Sequence, residues 1–142
     1  MSGEVNNEIS EEELLNEDFW AGAPTAEVFC QHSRVPQLQG WMTYQYKKSA
    51  NGSTIHTRTL RYRMTTRYQN WYRANMDFRV RSSNEKLEKS PDSLHQDGEW
   101  HNYVKYVDVV AASSGLYVNI MCQFDGTNND GNMWGNEQHH VF

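Results

Sequence analysis

Leu116-Tyr117-Val118-Asn119-Ile120-Met121-Cys122-Gln123-Phe124 is the stretch of sequence that decides the fold. Apolar side chains occupy every second position of this stretch, beginning with the leucine, and this period-two pattern predicts a β-strand with one face on a core. The segment that follows, Asp125-Gly-Thr-Asn-Asn-Asp-Gly-Asn-Met-Trp-Gly-Asn-Glu137, is predicted to be a loop that holds one tryptophan among amides and glycines. The end of the chain is therefore expected to be a half-buried strand that leads into a polar loop.

The same alternation recurs upstream, in segments separated by turn residues. Four further segments carry it: residues 41–46, 55–64, 76–81 and 103–110. The first two flank a Lys-Lys-Ser-Ala-Asn-Gly-Ser turn and are predicted to form a hairpin. Residues 82–99 are predicted to be a loop, and residues 111–115 a turn after which the strand at 116–124 returns antiparallel to the one at 103–110. Since no amphipathic helix of useful length interrupts this pattern, the sequence predicts an all-β sandwich or barrel.

Charge divides the chain into two parts. The 142 residues carry a net charge of -5, but eight of the 18 acidic residues and none of the 13 Lys and Arg residues lie before residue 34. Residues 1–20 are predicted to be an acidic tail that is either disordered or a short helix, with Ser10 and Glu13 in the spacing of a capping box. Residues 21–142 are predicted to form a single β-sandwich domain.

Neither export nor membrane insertion is predicted by the sequence. The two cysteines, Cys30 and Cys122, are too few for a disulfide framework and are predicted to be buried free thiols. The N-terminus has no basic or apolar region of signal type, and no run approaches the roughly 18 apolar residues that a membrane span needs. Asn51-Gly52-Ser53 matches a glycosylation pattern but is predicted to be only a turn. The sequence therefore predicts a cytoplasmic protein that does not contact a membrane.

The polar loop near the C-terminus has the composition of a carbohydrate-binding site. A flat indole stacks against the C–H face of a sugar ring, while side-chain amides form hydrogen bonds with its hydroxyls. Six residues are therefore candidates for carbohydrate binding: Trp134, Asn132, Asn136, Asn129, Trp100 and Trp71. The alternative is that the glycines and asparagines only shape a turn and that the tryptophans fill the core.

Other chemistries have weaker support in the sequence. Residues 125–130 offer oxygen ligands for calcium, but Asp130 stands where the twelve-residue calcium loop requires glycine. The neighbouring His139 and His140 would point to opposite faces of a strand, so they are poorly placed to bind one zinc ion. No nucleophile motif, phosphate loop or paired carboxylates of glycosidase type are evident. The sequence therefore predicts a protein without catalytic residues, metal or cofactor.

A second functional hypothesis rests on arginines. Arg61, Arg63, Arg79 and Arg81 occupy alternate positions of two predicted strands and are expected to line one outer sheet face. Such a face, with nearby tyrosines, would bind the phosphates of nucleic acid or of another phosphorylated ligand and stack on bases. The alternative is a solvated face whose charges are paired with glutamates or covered by the acidic tail. A third hypothesis is a protein-interaction domain whose acidic N-terminus recruits a partner.

Two parts of the chain carry motifs of a known family. Residues 117–126, then Asn132-Met-Trp-Gly-Asn136, then His139-His-Val-Phe142 follow the order of an alternating strand, a glycine turn, a Trp-Asp-Asn-Asn motif and a final strand. Upstream, Phe78-Arg79-Val80-Arg81 approximates a Val-x-Val-Arg strand. This arrangement resembles the starch- and glycogen-binding modules of family 21, although Gly135 stands where that family has aspartate.

The resemblance implies a fold and a function. Family 21 modules are antiparallel, immunoglobulin-like β-sandwiches, and they bind α-glucans without catalysing a reaction. By this resemblance the chain is expected to be an immunoglobulin-like sandwich that binds glycogen or starch through its C-terminal Trp/Asn loop. Trp134 would stack on a glucose ring, and Asn132 and Asn136 would bind its hydroxyls.

Overall fold

Two antiparallel β-sheets pack face to face and form the body of the protein. The computed structural model describes residues 10–65, 71–91, 93–124 and 133–142, and the side chains of residues 71–73 lie outside this description. The predicted all-β sandwich is confirmed.

The first sheet contains the predicted hairpin. Its strands are β1 (Thr25–Gln31), β2 (Gln39–Lys48), β3 (Thr54–Met64), β7 (Trp100–Asn102) and β8 (Tyr106–Val110). They lie in the order β1-β2-β3, and β7 and β8 follow one another along the free edge of β3. A bulge leaves Leu60 of β3 unpaired opposite Thr43 and Tyr44. Tyr62 and Met64 therefore face the core while Arg61 and Arg63 face outward, as the alternation predicts.

The second sheet corrects two predictions. Its strands are β4 (Trp71–Arg81), β5 (Glu85–Glu88), β6 (Leu94–Gln96), β9 (Leu116–Gln123), β10 (Met133–Trp134) and β11 (Gln138–His140). They lie in the order β10-β9-β4-β5, with β11 also on β9 and β6 also on β4. Residues 82–99, predicted to be a loop, thus contain β5 and β6. The strands predicted to be neighbours at 103–110 and 116–124 lie in different sheets, because β8 pairs with β3 and β9 pairs with β4.

The core lies between the two inner faces. Strand β9 contributes Val118 and Ile120, both with no exposed surface, from the alternate positions that the sequence predicts. Strand β4 contributes Phe78 and Val80 in the same way, and Tyr44 packs on Phe78 from the first sheet. The alternating stretches are therefore the two buried faces of one sandwich.

A disulfide joins the two sheets. Cys30 of β1 and Cys122 of β9 are bonded to each other, so the predicted free thiols are wrong. Gly40 of β2 leaves the space for this bond, because a Cβ atom there would lie 2.7 Å from the Sγ atom of Cys122. Two cysteines 92 residues apart in sequence thus form a covalent link across the core.

Two short helices lie on the outer face of the first sheet. Helix α1 (Glu11–Leu15) begins at Ser10, whose hydroxyl accepts a hydrogen bond from the Glu13 amide as the capping-box spacing predicts. The 3-10 helix η1 (Glu17–Trp20) follows, and Trp20 is only 1% exposed. No helix in the described part of the chain is long and apolar enough to cross a membrane.

Neutralising Glu17 is expected to remove a stabilising contact that operates only when its carboxyl group is ionised. The Glu17 carboxylate accepts hydrogen bonds from Arg58 at 2.7 and 3.0 Å, and this hydrogen bonding and the Arg58 charge lower the pKa of Glu17 below 4.5. A group with a lowered pKa stabilises the folded state above its unfolded-state pKa and loses that effect as pH falls through its folded-state pKa.

Glu17→Gln should therefore melt at a slightly lower temperature than the wild type at neutral pH, with no difference well below pH 4.5. The effect is expected to be small because the side chain is 77% exposed and solvent screens the pair. Thermal denaturation followed by circular dichroism at both pH values tests this. An equal difference at both pH values would show that the ion pair is not its cause.

Candidate functional site

Trp134 lies on the outer face of the second sheet. It belongs to the two-residue strand β10, where its Cα partner is Met121 of β9, so it is part of the sheet rather than of the predicted loop. Its side chain is 43% exposed. The alternative in which Trp134 fills the core is therefore wrong, and the indole is accessible to a ligand.

Arg79 of β4 fixes the position of the Trp134 ring. Its guanidinium group lies 3.9 Å from the centre of the ring, in a cation–π contact. The Nε atom of Arg79 donates a hydrogen bond to the Oδ1 atom of Asn119, its cross-strand partner, at 3.0 Å. No acceptor for the four terminal N–H donors of Arg79 is found among the described residues.

Gly135 allows strand β10 to approach the first sheet. Its amide donates a hydrogen bond of 2.8 Å to the carbonyl oxygen of Ile120, and a Cβ atom at this position would lie 2.1 Å from the carbonyl oxygen of Phe29. No other residue fits without moving a backbone segment. This close approach explains why glycine stands directly after Trp134.

A polar cleft opens on the same face, on the far side of Met121. Its volume is about 450 Å³, within the usual size range of ligand pockets, and its lining residues are Asn75, Asp77, Lys89, Ser90, Pro91, Met121 and Gln123. Asp77 is 5% exposed and accepts a hydrogen bond from the Ser90 amide at 3.3 Å. Asp77, Met121 and Trp134 are cross-strand partners on the neighbouring strands β4, β9 and β10. Since neighbouring strands are about 5 Å apart, the cleft at Asp77 lies about 10 Å from the indole.

This arrangement supplies the two kinds of contact that a sugar requires. The indole offers an apolar surface, and the arginine, amide and carboxylate groups offer donors and acceptors for hydroxyl groups. The residues missed from the sequence are Arg79 as a partner of the tryptophan, Asn119, and the cleft residues Asn75, Asp77 and Ser90. A usable signal existed for two of them, because Asp77 and Asn119 occupy the outward positions of strands whose other positions are apolar.

The six candidate carbohydrate-binding residues do not form one site. Asn136 is exposed and follows Trp134 by two residues, so these two remain together. Asn129 and Asn132, and with them the oxygen atoms considered for calcium, lie outside the described residues, as does the side chain of Trp71. Trp100 belongs to β7 on the outer face of the first sheet, and Trp134 lies on the outer face of the second. These two tryptophans therefore face away from each other.

The predicted arginine stripe is also divided between the sheets. Arg61 and Arg63 lie on β3, whereas Arg79 and Arg81 lie on β4, and these strands belong to different sheets. Arg81 forms an ion pair with Glu137 at 3.1 Å and covers the ring of Tyr117. The prediction of one continuous basic face is therefore wrong.

Comparisons with known proteins identify no relative of this chain. No family model, no curated protein and no solved structure that was compared with the chain matches it.

Proposed function

We propose that this protein is a non-catalytic carbohydrate-binding module that binds an α-glucan, such as glycogen or starch, on the outer face of its second sheet. The observation that carries the proposal is the exposed Trp134, held by Arg79 beside a polar cleft on the same face. The choice of an α-glucan is supported by the resemblance of the C-terminal strand and Trp motif to family 21.

The ligand would contact both parts of this surface. Arg79 covers one face of the Trp134 ring, and the opposite face stacks on a glucose ring. The terminal N–H groups of Arg79 and the amide of Asn136 form hydrogen bonds with its hydroxyls. A neighbouring sugar of the same polymer enters the cleft and binds Gln123. Because the ligand is neutral, the affinity should depend little on salt.

The disulfide indicates the kind of cellular compartment in which the folded protein binds its ligand. Disulfides persist in oxidising compartments and are rare in the cytosol, where thiols are kept reduced. The Cys30–Cys122 bond therefore supports an oxidising compartment for the folded protein rather than the cytoplasm expected from the sequence.

Removing the indole is expected to weaken glucan binding about tenfold or more, since a lost aromatic stacking contact is worth about 1.5 kcal/mol. The test is affinity electrophoresis of the wild type and Trp134→Ala in native gels that contain increasing amounts of glycogen. Trp100→Ala is the matched control, because it removes the same side chain from the opposite sheet. The wild type and Trp100→Ala should be retarded equally, and Trp134→Ala should need about ten times as much glycogen for the same retardation.

Two results would count against the proposal. A wild type that is not retarded by glycogen or starch would refute the α-glucan function. Retardation that survives Trp134→Ala but is lost in Trp100→Ala would place the binding surface on the first sheet. Equal melting temperatures of the two variants would show that both are folded.

A further inference from the structure

The outer face of the first sheet has a covered half and an open half. Residues 10–20, which we call the acidic segment, contact the half that contains Lys47, His56, Arg58 and Tyr106. On the other half, four residues are successive cross-strand partners on β1, β2, β3 and β7. We call them the aromatic row: Phe29, Trp41, Arg63 and Trp100. The two halves belong to one continuous sheet surface.

The covered half shows which chemistry this surface accepts. Glu17 binds the guanidinium group of Arg58 through both carboxylate oxygens, at 2.7 and 3.0 Å. The ammonium group of Lys47 lies 4.2 Å from the centre of the Phe19 ring, and the Arg58 guanidinium lies 4.9 Å from that of Trp20. The acidic segment is therefore held by carboxylate–arginine and ring–cation contacts.

The open half also combines rings with cations, but here both belong to the sheet. In the aromatic row, the Phe29 and Trp41 rings are 5.4 Å apart and the Arg63 guanidinium lies 5.1 Å from the centre of the Trp41 ring. Arg61, in the next register row, lies 4.5 Å from the centre of the Trp100 ring. The three rings are half-buried and Arg61 is exposed, so a ligand reaches both aromatic and cationic groups here.

Charge on the open half favours an acidic ligand. Arg63 donates one hydrogen bond, from Nε to the Gly98 carbonyl oxygen at 2.6 Å, whereas the Arg61 guanidinium has no acceptor among the described residues. In the two register rows that contain these arginines, Glu27 is the single acidic residue. These two rows therefore carry two positive charges and one negative charge.

We propose that the aromatic row, together with Arg61, docks an acidic peptide segment that contains an aromatic residue. This partner has the chemistry that Glu17, Phe19 and Trp20 already display on the other half of the same face. A protein segment is favoured over nucleic acid because the occupant of the other half of this face is itself a peptide segment, residues 10–20. The proposal goes beyond glucan binding, whose site is on the opposite sheet.

The test uses a fluorescein-labelled peptide with the sequence of residues 10–20, Ser-Glu-Glu-Glu-Leu-Leu-Asn-Glu-Asp-Phe-Trp, added to the full chain. The chain's own acidic segment keeps its place on Arg58, because its effective concentration is about millimolar and far above that of the probe. Fluorescence anisotropy should show binding that weakens with salt and falls about fivefold in Arg61→Ala, which loses a charged hydrogen-bond partner. Arg81→Ala, on the opposite sheet, is the control and should bind as the wild type does.

Four results would overturn the proposal. The first two are no binding of the peptide and binding that is unchanged in Arg61→Ala. The third is binding that is lost in Arg58→Ala but kept in Arg61→Ala, and the fourth is equally tight, Arg61-dependent binding of a single-stranded oligothymidine. The third would show exchange at the covered half, and the fourth would identify a nucleic-acid surface. Retardation by glycogen should be the same in Arg61→Ala and the wild type. Failure of this proposal and failure of the glucan proposal are therefore separate observations.

Discussion

Replacing Cys30 and Cys122 together by alanine is expected to lower the free energy of unfolding by about 4 kcal/mol, the largest change anticipated for any substitution in this chain. The reason is the length of chain that the bond closes, since the two cysteines are 92 residues apart. Without the bond the unfolded chain gains conformational entropy that the folded chain does not. The measurement is urea denaturation of the oxidised wild type and the double variant, followed by tryptophan fluorescence.

The reduced wild type is the matched control for this experiment. It keeps both sulfur atoms in the core and loses only the bond, so it separates the effect of the bond from that of lost side-chain volume. The reduced protein should unfold at a lower urea concentration than the oxidised protein and close to that of the double variant. Equal midpoints for the oxidised and reduced wild type would contradict a stabilising disulfide.

The disulfide is also expected to support the proposed glucan site. Met133, the residue before Trp134, is the Cα partner of Cys122, so the bond lies under the strand that carries the indole. Reduction should therefore weaken retardation by glycogen even under conditions in which the protein remains folded. Circular dichroism of the same samples checks that the fold is kept.

Gly135→Ala is expected to lower the free energy of unfolding by about 3 kcal/mol and to weaken glucan binding as much as Trp134→Ala does. The added Cβ atom would lie 2.1 Å from the carbonyl oxygen of Phe29, and a backbone group does not move aside as a flexible side chain does. Strand β10 must then separate from β1 and carry Trp134 away from Arg79. Urea denaturation and electrophoresis in glycogen gels measure the two effects.

Gly22→Ala is the control for this substitution. Gly22 has a φ angle of +79°, and a Cβ atom there would meet nothing within 4 Å. This variant should therefore lose only about 1 kcal/mol, from backbone strain, and should bind glycogen as the wild type does. A Gly135→Ala protein as stable as the wild type would mean that β10 does not approach β1 as closely as described.

Part of the fold can be predicted from the sequence because it depends on local patterns. The hairpin of β2 and β3 and the inward face of β9 follow from period-two alternation and a turn composition that a reader of the sequence recognises. Strands β5 and β6 were missed because they are short, and β5 is mostly exposed and has no alternating pattern. Strand β1 was missed for a related reason, since only Val28 and Cys30 mark its buried face.

The candidate site was predictable only in its central residue. Trp134 stood out as a tryptophan among amides, and its surroundings in sequence suggested a sugar ligand. Its contacts with Arg79 and Asn119, and the cleft beyond Met121, depend on strands that are far apart in the chain. Sequence spacing carries no information on such pairings, because they are set by the register between strands.

The sequence by itself determined that this chain is an all-β sandwich or barrel, which side chains of its main strands face the core, and that an acidic segment precedes the sheets. Those properties follow from side-chain period and charge, which are local. Only the tertiary structure decided that Cys30 meets Cys122, that Trp100 and Trp134 lie on opposite faces, and that the arginines are divided between two sheets. The physical reason is that each of these facts depends on which sheet a strand joins, and that choice is made by packing between distant segments.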